Sequence, residues 1–100
     1  MTMTDLTTVN HADFAPAGYT HAAVHAAWTK ALDRCAAIDA AMRECSAAIA
    51  KARATPSPVN RQAGEAALHR QHDLNRARTT MVSVANALSK RVADAVADER

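Results

Sequence analysis

The sequence predicts an all-α protein: two long antiparallel helices, forming a helical hairpin, with a flexible N-terminal arm. Three observations lead there. Apolar residues recur every three and four positions through two long stretches, the period of one helix face. Thr55-Pro56-Ser57-Pro58 separates the two stretches and has the chemistry to stop one helix and start another. Two glycines, three prolines and 3% aromatic residues leave too little turn and strand material for a sheet protein.

Residues 1–19 form the arm. Met1 to Asn10 is rich in threonine, and Phe14-Ala15-Pro16-Ala17-Gly18 places proline and glycine close together, so no helix continues through it. Leu6, Val9 and Phe14 are spaced for a short amphipathic turn. The arm is expected to be loosely ordered until a partner covers it.

The hairpin occupies residues 20–100, with a first helix over 20–54. Thr20 is its N-cap, and Lys51 and Arg53 in the last turn complement the negative end of the helix dipole. Written as heptads, His21, Trp28, Cys35, Met42 and Ile49 share one core position, and Val24, Ala31, Ile38, Cys45 and Ala52 the other. Trp28 is then the largest anchor of the seam. Alanines fill the flanks, both because alanine is the best helix former and because small flanks let a second layer of helices approach.

The turn spans residues 55–58. Proline biases its predecessor to extended geometry, and Ser57 before Pro58 reads as an N-cap followed by proline at the first helical position. So short a connection makes the helices antiparallel neighbours. The second helix, 58–98, carries a stripe of Val59, Ala63, Ala67, Arg70, Leu74, Ala77, Met81, Val84, Leu88, Val92 and Val96. Folding at Ser57 sets Cys45 near Leu68 and His69, Ile38 near Leu74, and Trp28 near Val84 to Leu88.

The expected assembly seam therefore takes Trp28, Cys35, Ile38, Met42, Cys45 and Ile49 from the first helix. The second helix gives it Leu68, Leu74, Met81, Val84, Leu88 and Val92. Two helices share one line of contact and cannot close a core, and Leu32, Leu68 and Val82 lie off that line. The chain is expected to self-assemble or to be clasped by another helical protein.

Cys35 and Cys45 lie ten residues apart on one helix, about 15 Å at ~1.5 Å per residue, beyond the reach of a disulfide. They read as small hydrophobes of the seam. His21 with His25, and His69 with His72, have ligand spacing on their helices, but the hairpin holds the two pairs far apart. Cys45, His69 and His72 lack a fourth ligand. No metal, cofactor or catalytic grouping is predicted, and the chain reads as non-enzymatic.

Twelve basic residues against ten acidic leave little global field. Lys51, Arg53, Arg61, Arg70, Arg76 and Arg78 outnumber Glu65 and Asp73 near the turn, making the tip positive. These bases are scattered around the helix without stacking aromatics, so nucleic-acid binding is the less favoured alternative. No apolar run is long enough to span a bilayer, and no Sec-type signal is read at the N-terminus. The expectation is cytoplasmic residence, or export without a cleaved signal peptide.

The order of flexible lead, helix, Pro56-Ser57-Pro58 turn and long C-terminal helix resembles the needle and inner-rod subunits of type III secretion systems. Leu68 about ten residues past the turn, Leu74-Asn75-Arg76, the polar Thr79-Thr80 and the aliphatic run Leu88 to Val96 extend the likeness over about residues 25 to 97. The resemblance implies a structural subunit that polymerises helically, is exported unfolded and is capped beforehand by chaperones. The small helical co-chaperones of the same systems share the hairpin form and are the alternative. Secreted proteins with a Trp-X-Gly turn have similar length, but here the tryptophan reads Trp28-Thr29-Lys30, away from the turn.

Overall fold

A computed structural model describes residues 5–98 of the chain. It is an all-α helical hairpin. A short 3-10 turn, His11–Phe14, precedes α1, His21–Ala54, and α2, Pro58–Asp98.

The sequence sets both helix ends at the turn. The Thr20 hydroxyl accepts a hydrogen bond from the Ala23 amide at 3.2 Å and so caps α1. At the far end the Thr55 N–H still donates to the Lys51 carbonyl at 2.9 Å, but Pro56 has no N–H with which to continue. Ser57 restarts the ladder: its hydroxyl accepts from Asn60 N–H at 3.0 Å and its carbonyl from Arg61 N–H at 2.8 Å. The Asn60 side-chain Nδ2 donates to the Thr55 carbonyl at 2.6 Å, satisfying a carbonyl that the end of α1 leaves open. At ~1.5 Å per residue the 41 residues of α2 span about 62 Å, the longest dimension of the molecule.

The two helices bury a line of small residues punctuated by a few large ones. On α1 it runs through Val24, Ala27, Ala31, Ile38, Ala41 and Cys45. On α2 it runs through Gly64, Ala67, Leu74, Ala77, Met81, Ala85, Leu88 and Ala95. Ile38, Leu74 and Met81 are fully enclosed and form its centre.

This line is rotated from the one the heptads predict. His21, Trp28, Cys35, Met42 and Ile49 are half-buried along one flank, and Ala27 and Ala41 take the seam on the other side. Trp28 is therefore not the central anchor. An alanine-lined contact brings the helix axes close, and an indole at its centre would hold them apart. On α2 the same rotation leaves Val59, Ala63, Arg70 and Val96 exposed, puts Gly64, Ala85 and Ala95 inside, and leaves Val84 and Val92 half-buried. The helices approach closely near the tip: a Cβ placed on Gly64 would lie 2.8 Å from the Ala52 Cβ, so only glycine fits there without displacement.

Where the sequence reads as a flexible lead, the described part of the arm lies against the hairpin. Asp5 accepts hydrogen bonds from the Thr7 backbone N–H and from the Thr7 and Thr8 hydroxyls, at 2.6–2.9 Å, closing a tight turn. Asn10 caps the 3-10 turn by accepting from Ala12 N–H at 3.1 Å. Phe14 is 4% exposed and belongs to the core, with Leu6 and Val9 packed against it. The Lys30 ammonium sits 5.8 Å from the centre of the Phe14 ring, a cation–π contact that fixes the arm on α1.

Candidate interaction surface

Along one flank of the hairpin the apolar side chains are only partly covered. Trp28, Cys35, Met42 and Ile49 follow one another at intervals of seven on α1, all half-buried. Leu32 lies four residues beyond Trp28 on the same side and is 43% exposed. Leu68 of α2 is 47% exposed and shares a recess with Ile49. His25 packs edge-on to the Trp28 indole, with ring centres 5.6 Å apart, and His21 lies 5.7 Å from His25.

Two polar cross-links run across this same flank. Arg78 Nε donates to Asp39 Oδ1 at 2.6 Å, and Gln71 Nε2 donates to Ser46 Oγ at 3.0 Å. Both pairs are equidistant from the same point in the turn, so they fix the register of the antiparallel helices. Cys45 lines a shallow groove with Ala67 and Arg70, the residues that bracket Leu68 and His69 on α2.

Of the predicted seam residues, Ile38, Cys45, Leu74, Met81 and Leu88 meet in the buried line. Trp28, Cys35, Met42, Ile49, Val84 and Val92 pack against its edges, Leu68 is exposed, and Leu32 and Val82 flank it, the latter half-buried. At the turn Pro56 and Pro58 are exposed and Ser57 half-buried. Cys35 and Cys45 are free thiols. Burial, then the Asp39 carboxylate, pushes the Cys35 thiol above its ordinary value, which keeps it protonated and a poor nucleophile at neutral pH. His69 and His72 point to solvent on α2, away from the buried Cys45, and among the described residues no three His, Cys, Asp or Glu side chains gather as a metal would need.

At the tip, Ile49, Pro56, Gly64 and Leu68 line a recess of about 250 Å³, with Arg53, Arg61 and Glu65 around its mouth. The opposite end presents Tyr19, 91% exposed, beside Arg91, Asp94 and Asp98. The described residues contain no helix long and apolar enough to cross a membrane. No family model, curated protein or solved structure matches this chain.

Sequence reasoning passed over Tyr19, the two cross-links and Gly64 as surface features. The cross-links were out of reach of the expected register, since folding at Ser57 sets Asp39 opposite Asn75 and Ser46 opposite Leu68, about one helical turn short of Arg78 and Gln71. Gly64 carried a usable signal: a glycine inside a strongly periodic helix costs about 1 kcal/mol relative to alanine and asks for a packing reason.

Proposed function

We propose that this protein is a non-enzymatic assembly module that completes its core by packing against helices of other copies of itself. One observation supports this above the rest: large apolar side chains, Leu32 and Leu68 with the half-buried Trp28, Met42 and Ile49, remain open along one flank. A single line of helix contact leaves them wet, and covering each half-exposed leucine contributes about 1 kcal/mol at ~25 cal/mol per Å². The concrete form of the reading, resting on the sequence resemblance, is a needle- or rod-like subunit of a secretion apparatus. A small closed bundle acting as a co-chaperone or adaptor is the alternative form, and the size of the assembly separates the two.

Light scattering behind size-exclusion chromatography tests it. The native chain is expected to exceed monomer mass at micromolar concentration, and the Leu32→Glu, Leu68→Glu double variant to elute as a helical monomer. A native chain that stays monomeric across a hundredfold range of concentration contradicts the proposal.

A further inference from the structure

We propose that the hairpins join head to tail, with Tyr19 of one copy entering the apolar recess at the tip of the next. This deepens the self-assembly reading and rests on it. The recess is lined by Ile49, Pro56, Gly64 and Leu68, and its rim carries two positive charges, Arg53 and Arg61, and one negative, Glu65. The other end of the rod carries the inverse set around an exposed ring: Asp94 and Asp98 are negative and Arg91 positive, beside Tyr19. Tyrosine suits such a contact because its ring fills an apolar hole while its hydroxyl stays at the wet rim.

The geometry forbids one chain from satisfying itself, because the two patches sit at opposite ends of a molecule 62 Å long. It also disfavours a closed pair. Leu68 follows the buried line Ala67, Leu74, Met81, Leu88, Ala95 by one position, whereas Arg91 and Asp98 follow it by three. At ~100° per residue these offsets place the two patches on opposite flanks of the seam. A twofold pair laid on one flank covers only one of the two patches, so each contact joins unlike surfaces and leaves a free end for the next copy. Such contacts grow into open chains.

Four variants and a mixing experiment test this, read by sedimentation velocity, with circular dichroism confirming that each variant is folded. The residues changed are exposed, so helicity is expected to persist. Tyr19→Ala disables one end and the Arg53→Glu, Arg61→Glu pair disables the other. Each is expected to weaken association at least tenfold and to lose the open-ended growth that the native chain shows at the same concentration. Mixed in equal amounts they are expected to form a species of twice the monomer mass and nothing larger, since each keeps one competent end. Adding Asp94→Arg and Asp98→Arg to the tip-reversed chain is expected to restore growth, whereas that pair alone blocks it. Native chains that associate but ignore Tyr19→Ala and the tip reversal overturn this contact while leaving self-assembly standing. A native chain that is monomeric throughout, its recess serving some other partner, overturns both.

Discussion

Gly64 is where a single side chain decides how closely the helices meet. Any Cβ there lies 2.8 Å from the Ala52 methyl, which cannot swing away. Helix propensity favours Gly64→Ala by about 1 kcal/mol, and overpacking opposes it by about 1–3 kcal/mol. Crowding wins, so chemical denaturation is expected to show Gly64→Ala less stable by about 1 kcal/mol and Gly64→Leu by more. Asp5 gives the residue scale a pH signature. Hydrogen bonds from Thr7 and Thr8 lower its carboxyl from 3.8 to about 2, so the turn it closes gains stability from ionisation. That gain is complete above about pH 4 and is lost as pH falls through about 2. Protection of the Thr7 amide, its exchange rate measured against the intrinsic rate at each pH, is expected to fall over that interval, and protection unchanged across it would contradict the assignment.

At the scale of the element, the arm and the hairpin are expected to respond separately. Phe14→Ala removes the side chain that, among the described residues of the arm, is buried in the core, so hydrogen exchange from Asp5 to Ala17 is expected to lose protection while the melting of the helices changes little. Met81→Asp places a charge in the fully enclosed centre of the seam and is expected to abolish helicity, read by circular dichroism. How far these elements were legible in the sequence follows from the strength of each signal. Thr20, Pro56, Ser57 and Pro58 marked the helix ends because capping and proline chemistry is local. Ile38, Leu74, Met81 and Leu88 were legible as buried because they are large and periodic. The rotation of the seam was not legible, because alanine occupies both the core and the surface of α1 and gives periodicity little contrast. Nor was the docking of Phe14, which depends on the position of Lys30 on another element.

At the scale of the whole molecule, a rod of 62 × 26 × 17 Å gives each helix one neighbour and leaves a flank of large apolar side chains open. Here the sequence was informative about Leu32, whose place off the helix stripe predicted its exposure, divided about Leu68, read both as off that line and as a seam residue, and silent about Tyr19, whose setting depends on how α2 ends beside it. The central claim is that the fold is completed between chains, which makes stability depend on concentration. Thermal unfolding followed by circular dichroism over a hundredfold range of protein concentration tests that most directly. The midpoint is expected to rise by about 10–20 °C, since a hundredfold in concentration is worth about 2.7 kcal/mol to a chain held by its neighbours and each kcal/mol moves a domain of this size by about 4–8 °C. A midpoint identical at every concentration would show a hairpin stable by itself and would contradict the account.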